Sequence, residues 1–164
     1  MHLRMIVVVL LVLTLAIAVS AQTKISGVLQ CGKADPSYMI PVGDRPGHAF
    51  AISKVKCTWT QAPEMAGVQA KEHEYTAFAN VSGSRGWNRS AAVGTMANGD
   101  RYFTSTQGTL ILKEGVSQAA EGTWSYTGGT GKLKGLTGKG TYKGKAAPDG
   151  TFTIEVQGEY QLPK

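Results

Sequence analysis

The C-terminal part of the chain alternates between apolar and polar positions with a period of two. Between residues 152 and 160, one set of alternate positions holds Phe152, Ile154, Val156, Gly158 and Tyr160, and polar residues fall between them. Successive side chains of a β-strand point to opposite faces of the sheet. The pattern therefore predicts a strand with one face toward a core and the other toward water. The same alternation predicts strands near residues 121–127 and 136–145.

Earlier segments alternate less regularly but are bounded by turn residues. They predict five further strands, near residues 25–31, 48–59, 68–81, 86–97 and 100–113. Asn98-Gly99 is a strong hairpin signal, and Pro148-Asp149-Gly150 indicates a second tight turn. Residues 32–47 carry three prolines and are predicted as a loop. Residues 62–66 favour a single helical turn, with Pro63 suited to its first position.

Three Gly-x-aromatic tripeptides recur at intervals of 18 residues. They are Gly122-Thr123-Trp124, Gly140-Thr141-Tyr142 and Gly158-Glu159-Tyr160. Because residues i and i+2 share one face of a strand, each tripeptide places a glycine beside an aromatic ring. Rings that cover glycines are a device of curved sheets and closed barrels. The 21 glycines, all beyond residue 21, agree with curved and closely packed β-structure.

Together these elements predict an all-β fold, an eight-stranded antiparallel β-barrel. Neighbouring strands are joined by short turns, and no amphipathic helix is predicted that could cover an open sheet, so closure is favoured. A barrel of eight strands has room inside for side chains or for one small ligand. We expect residues 22–164 to form this single domain.

Residues 1–21 have the features of a cleaved secretory signal peptide. Arg4 precedes an uncharged apolar run over residues 6–19, and Val19-Ser20-Ala21 offers small residues before a cut at Gln22. The apolar run is shorter than the roughly 20 residues that a membrane-spanning helix needs. We therefore expect a secreted or periplasmic protein without a stable membrane anchor.

The charge and the cysteine content limit the kinds of partner and site that we expect. The chain carries 17 basic and 11 acidic residues, a net charge of +6, which is too moderate for the footprint of a nucleic-acid-binding protein. Cys31 and Cys57 are the only cysteines. Export favours a disulfide between them, with free thiols as the alternative. Their spacing excludes a CxxC redox motif, and without a nearby histidine pair no metal site is expected.

Residues 122–160 resemble the allene oxide cyclase and dirigent barrel superfamily. The resemblance rests on Trp124-Ser125-Tyr126, on the loop Gly128-Gly129-Thr130-Gly131-Lys132 before the glycine-rich strand, and on the last strand ending in Gly158-Glu159-Tyr160. It is closest to exported bacterial members, and it hardly extends to the first half of the chain. The resemblance implies an eight-stranded antiparallel barrel.

Members of that superfamily hold a reactive ligand in an apolar barrel cavity. They include a cyclase of unstable fatty-acid epoxides and proteins that steer the radical coupling of phenols. The resemblance thus implies a small hydrophobic or aromatic partner, and it implies a homo-oligomer, since many members are trimers. The family's catalytic residues find no match in the first half of this chain, so the activity does not carry over.

Glu72-His73-Glu74 is the candidate for acid–base chemistry, in the strand predicted near residues 68–81. Both glutamates would face one side of the strand and His73 the other. Inside the barrel, burial and mutual repulsion would raise a carboxyl pKa and suit that group to proton transfer, whereas outside it the glutamates are solvated charges. The motif is not HExxH, which excludes a zinc protease of that pattern.

Aromatic and cationic residues on the predicted strands are candidates for ligand contact. They are Trp87, Arg89, Tyr102, Trp124, Tyr126 and Tyr142. Tyr and Trp give a ligand a flat apolar wall and a hydrogen-bonding group, although barrel packing explains the same residues. The loop over residues 128–132 lacks the spacing of a Walker A motif and is expected to be a structural turn. No cofactor is expected.

Three functions fit this pattern. The leading hypothesis is an exported barrel that binds a small apolar or aromatic molecule in its interior, without catalysis. The second is a cofactor-free cyclase or isomerase in which Glu72, Glu74 or His73 handles a proton. The third is an oligomeric structural or surface protein with a filled core.

Overall fold

The computed structural model describes residues 22–163, so the predicted signal peptide lies outside the described part of the chain. Ten β-strands and one short 3-10 helix make up the domain. The strands are β1 (Thr23–Cys31), β2 (Ser37–Pro41), β3 (His48–Gln61), β4 (Glu64–Met65), β5 (Val68–Ser82), β6 (Arg85–Met96), β7 (Arg101–Lys113), β8 (Val116–Gly129), β9 (Thr137–Ala146) and β10 (Phe152–Gln161), with helix η1 (Gly131–Leu133) between β8 and β9. Over residues 22–163, no helix is both long and apolar enough to cross a membrane.

Eight long strands close into an antiparallel barrel, as the sequence predicts. Around the ring the order is β1, β10, β9, β8, β7, β6, β5 and β3. Strand β3 closes the ring because one edge pairs with β5 while its residues 57–61 pair with β1. The ladder therefore has no open edge over most of its length, which removes the template for edge-to-edge aggregation.

The prediction of a continuous loop over residues 32–47 is wrong at its centre. Strand β2 pairs with residues 49–53 of β3, directly beyond the point where β1 leaves that edge. The backbone of residues 37–41 thus finds hydrogen-bonding partners that the pattern did not reveal. Pro36 and Pro41 flank this short edge strand, a place where a missing backbone N–H is tolerated.

The prediction of a helical turn over residues 62–66 is also wrong. Strand β4 pairs Glu64 with Gln69 and Met65 with Val68, so the segment is a hairpin. Ala66 and Gly67 both have positive φ, 52° and 75°, the combination of a type I′ turn. Met65 is carried by this hairpin into the core and is almost fully buried, and that burial outweighs the local preference for a helical turn.

One end of the barrel is filled with large side chains. Met65, Met96, Leu133 and Leu136 are each about 1% exposed, and they pack with Trp124 and Tyr160 in one cluster. Strand β4 and helix η1 supply Met65 and Leu133, so these short elements act as a plug. We call this region the packed end.

The loop over residues 128–132 is a structural turn, as expected. The backbone N–H of Lys132 donates to Asp100 Oδ2 at 3.0 Å, and the N–H of Arg101 donates to Thr130 Oγ1 at 2.9 Å. A Cβ added to Gly131 would collide with the Asp100 carboxylate. An acidic side chain of the chain itself therefore occupies the position that a phosphate would take.

The predicted disulfide is present. Cys31 on β1 and Cys57 on β3 are register partners and are bonded. Their cluster with Leu29 and Val55 lies where β1 joins β3, and Cys31 is fully buried. The bond thus fastens the junction at which the barrel closes.

Candidate functional site

A chain of hydrogen bonds links three aromatic residues beside the packed end. The Trp59 indole N–H donates to the Tyr102 hydroxyl at 3.1 Å, and that hydroxyl lies 3.1 Å from His73 Nδ1. Because an indole can only donate, the Tyr102 oxygen accepts there and its own proton can go to His73. The His73 and Tyr102 rings stack with centroids 5.8 Å apart. His73 therefore faces the interior with a fixed tyrosine partner.

Burial keeps these interior groups uncharged near neutral pH. It lowers the pKa of His73 from 6.5 to about 4. It raises the pKa of Tyr75 to about 12 and moves the pKa values of Tyr102 and Tyr126 upward as well. The interior thus presents neutral hydrogen-bonding groups, and a ligand that carries a net charge would find no counter-charge among them.

Glu72 and Glu74 face outward, unlike His73 between them. Their side chains are 59% and 38% exposed, and Glu74 forms an ion pair of 2.7 Å with Lys54. The hydrogen bond from Lys54 lowers the pKa of Glu74. The structure therefore does not bring the three candidate acid–base residues together, and only His73 can reach a molecule inside the barrel.

Five polar residues point into the middle of the barrel from β6, β7 and β9. We call them the inner polar cluster: Asn88, Ser90, Thr104, Thr106 and Tyr142. The Ser90 and Thr106 hydroxyls lie 2.6 Å apart, and the Tyr142 hydroxyl donates to Asn88 Oδ1 at 3.4 Å. Burial raises the pKa of Tyr142, while hydrogen bonds with Asn88 and Thr106 act in the opposite direction.

Thr104 is the member of the inner polar cluster without a partner. Its side chain is 7% exposed, and Oγ1 makes no hydrogen bond to any of residues 22–163. A buried hydroxyl without a partner costs roughly 1–3 kcal/mol, and such groups are rare in native proteins. Less than 1 Å² of the Oγ1 atom is accessible, so the packed side chains around Thr104 leave no room for a ligand atom beside this hydroxyl.

The middle of the barrel is not completely filled. Tyr75, Asn88, Ser90, Thr106 and Phe152 all point inward, yet each is only half-buried. Small side chains face them from neighbouring strands, including Ala77 opposite Ser90 and Ala79 opposite Asn88. The accessible part of the inner face therefore combines the polar side chains of Asn88, Ser90 and Thr106 with the rings of Tyr75 and Phe152.

The six predicted ligand-contact residues divide between the two faces of the sheet. Tyr102, Trp124, Tyr126 and Tyr142 point inward, and the first three belong to the packed end or lie against it. Trp87 and Arg89 point outward, with the guanidinium 5.9 Å from the Trp87 ring. Among the six, only Tyr142 belongs to the inner polar cluster.

Sequence reasoning missed Trp59, Tyr75 and four members of the inner polar cluster. Asn88, Ser90, Thr104 and Thr106 are polar residues on the inner face of strands, where the alternation rule expects apolar ones. The available signal was the row of hydroxyl residues at alternate positions 104 and 106, which share a strand face with the candidate ligand-contact residue Tyr102. Tyr75 was hidden by the weak alternation of residues 68–81.

An open groove of about 1250 Å³ lies on the outer face of the barrel, away from the inner polar cluster. It is lined by residues of six strands, among them the polar residues Arg89, Gln107, Thr123, Thr141 and Gln157. The groove is wide open to solvent and does not enclose a ligand. The groove therefore lacks the features of a small-molecule site, and we regard the interior as the candidate site.

No group of three or more His, Cys, Asp or Glu side chains within residues 22–163 is placed to hold a metal ion.

No protein-family model matches the chain, and no curated protein is similar to it. Among solved structures, the chain is similar to a pyocyanin demethylase, with a TM-score of 0.42 and 18% identity over 80% of this chain and 98% of that one. It is also similar to a pterocarpan synthase dirigent protein, with a TM-score of 0.48 and 12% identity over 88% of this chain and 87% of that one. Both are barrel folds, and at these identities the likeness concerns the fold.

Proposed function

We propose that this chain is an exported β-barrel protein that binds one small apolar or aromatic molecule in its interior and does not transform it. The observation that carries the proposal is the accessibility of polar side chains on the inner face of the barrel, since Asn88, Ser90 and Thr106 all point inward and are each only half-buried. Such side chains can form hydrogen bonds with a molecule inside the barrel.

The chemistry of the walls indicates what the ligand would be. Tyr75 and Phe152 offer flat apolar surfaces, and Asn88, Ser90 and Thr106 offer neutral donors and acceptors. A charged molecule would lose its hydration without gaining a counter-ion, which costs several kcal/mol. A neutral aromatic or apolar molecule with one hydroxyl or carbonyl group fits these walls best.

Native mass spectrometry of protein recovered gently from its own exported compartment tests this proposal. We expect a bound small molecule at one copy per chain. Ser90→Ala/Thr106→Val removes both partners of one inner hydrogen bond, so it should retain the fold and lower the bound fraction. A folded protein that is always recovered empty would overturn the proposal and favour the structural hypothesis.

A cofactor-free isomerase or cyclase is the second candidate, and the His73–Tyr102–Trp59 chain favours it. In the tautomer whose Nδ1–H donates to the Tyr102 hydroxyl, the neutral imidazole keeps Nε2 free to accept a proton from a substrate. In this function His73 is the base and Tyr102 positions it, while Glu72 and Glu74 take no part because they face outward.

The released molecule can separate the two candidates. Incubated with fresh protein, it should remain unchanged if the barrel only binds it. Conversion that is abolished by His73→Asn, and retained in the Glu72→Gln/Glu74→Gln control, would establish the isomerase instead.

A further inference from the structure

The outer face of the barrel carries a continuous apolar strip. We define the outer apolar strip as Tyr38, Ile40, Phe50, Ile52, Phe78 and Trp87. Register places them on one face of β2, β3, β5 and β6, since Tyr38 lies opposite Ile52, Ile52 opposite Phe78, and Ile40 opposite Phe50. Each side chain is between 38% and 67% exposed. An outer sheet face normally shows polar residues at these positions.

The aromatic members of the outer apolar strip pack against one another, and the exposed area of the strip is large. The Phe50 and Phe78 rings stack with centroids 5.5 Å apart, and Phe78 packs against Trp87 at 5.7 Å. From their exposed fractions, the six side chains present on the order of 600 Å² of surface, at the upper limit of the apolar patches that monomeric proteins carry. A surface of this size and composition marks an interaction site.

Basic residues surround the strip. Arg45, Lys54, Arg85 and Arg89 lie on the same outer face, next to its members in sequence or register. Asp44 and Glu74 pair with Arg45 and Lys54. Among the described residues, no ion pair involves Arg85 or Arg89. The rim therefore has an excess of positive charge beside an apolar centre.

We propose that the outer apolar strip binds the surface of an anionic lipid bilayer. Tyr, Trp, Phe and Ile side chains enter the boundary between headgroups and acyl chains, and cations at the rim meet the anionic headgroups. A second copy of the chain fits less well, because its strip carries the same excess of positive charge. A bilayer supplies apolar surface and negative charge together.

Co-sedimentation with phosphatidylglycerol/phosphatidylcholine vesicles tests this binding with matched controls. Phe78→Ser/Trp87→Ser should lower the partition coefficient at least about tenfold, while Val93→Ser, which removes an equally exposed outward side chain at 42%, should not. Arg85→Glu/Arg89→Glu should also lower it at least about tenfold, and Lys134→Glu/Lys145→Glu, with the same change of net charge, should have a smaller effect. Raising the salt concentration should weaken binding of the wild type.

Three results would overturn the proposal. The first is equal binding to pure phosphatidylcholine vesicles and to the anionic ones, and the second is binding that both charge variants reduce alike. The third is no binding to the anionic vesicles, and a dimer, measured by light scattering, that dissociates in Phe78→Ser/Trp87→Ser would then assign the strip to a second copy of the chain.

Discussion

The Trp124 ring occupies the space above Gly140, on the neighbouring strand, and above Gly158, one strand further on. A Cβ built on either glycine would lie 2.5 Å from Trp124 Cζ2. The glycine of the same tripeptide, Gly122, instead lets the β7 and β8 backbones approach each other closely. The repeat at 18 residues therefore works across strands, because one ring covers the glycines of the next two strands.

Gly140→Ala should strongly destabilise the barrel. The added methyl group would meet Trp124 and, closer still, the backbone oxygen of Gln157, and a backbone atom cannot move aside cheaply. Overpacking of this kind costs roughly 1–3 kcal/mol. Urea unfolding should show this loss, while the control Gly32→Ala, whose nearest neighbour would be 3.7 Å away, should change the free energy of unfolding by less than about 0.5 kcal/mol. Equal effects would contradict the close packing of Gly140 against Trp124 and the backbone of β10.

Thr104→Val should leave the stability of the empty protein unchanged or raise it by about 1 kcal/mol, because it removes a buried hydroxyl that lacks a partner. Thr106→Val is the matched control. It breaks the 2.6 Å hydrogen bond to Ser90 and leaves that hydroxyl unsatisfied, so it should cost roughly 1–3 kcal/mol. Thermal unfolding of the two ligand-free variants measures both effects, and a loss in Thr104→Val as large as in Thr106→Val would show that Thr104 does have a partner.

Stability should fall as the pH drops from 6.5 toward 4, because burial lowers the pKa of His73 to about 4. Above pH 6.5 the imidazole is neutral in the folded and unfolded states, and the full stability is present. Below it the unfolded chain binds a proton that the folded protein does not, so the free energy of unfolding decreases, by up to about 3 kcal/mol.

The difference between wild type and His73→Asn isolates this effect. The carboxyls with lowered pKa values, Asp44, Glu74 and Asp149, titrate in both proteins. Urea unfolding at pH 7 and pH 4.5 should show the smaller pH dependence in His73→Asn. An identical pH dependence would place His73 in contact with water.

Loss of the disulfide should cost about 3 kcal/mol, since Cys31 and Cys57 close a loop with a sequence separation of 26. Cys31→Ala/Cys57→Ala should unfold at a correspondingly lower urea concentration, and a reducing agent should shift the wild type in the same direction without shifting the variant. An unchanged midpoint would show that the ladder between β1 and β3 closes the barrel without help.

The barrel could be predicted because, in most segments, period-two alternation and the turn residues predict the same strands. For example, Phe152, Ile154 and Val156 are apolar residues at alternate positions, and this pattern is enough to identify the inward face of β10. Strand β2 could not be found in this way, because Ser37–Pro41 is exposed on both faces and owes its conformation to the free edge of β3.

The candidate site was harder to predict because its inward residues are polar, whereas the strands were located by expecting apolar residues on the inward face. Ser90 and Thr106 are inward residues that look like outward ones, and Trp87 is an outward residue that looks like an inward one. Only the register of β5, β6 and β7 shows which face each side chain takes. For Glu72-His73-Glu74, alternation correctly separated the glutamates from the histidine, but it could not say which of the two faces inward.

The most direct test of the account is to fill the interior and ask whether the ligand is lost. Ser90→Leu places an apolar side chain within the inner polar cluster, and Ser105→Leu places the same side chain on the outer face. Native mass spectra of the wild type and both variants, recovered from the exported compartment, should show the small molecule in the wild type and in Ser105→Leu but not in folded Ser90→Leu. A ligand retained in Ser90→Leu, or absent from all three folded proteins, would contradict binding inside the barrel.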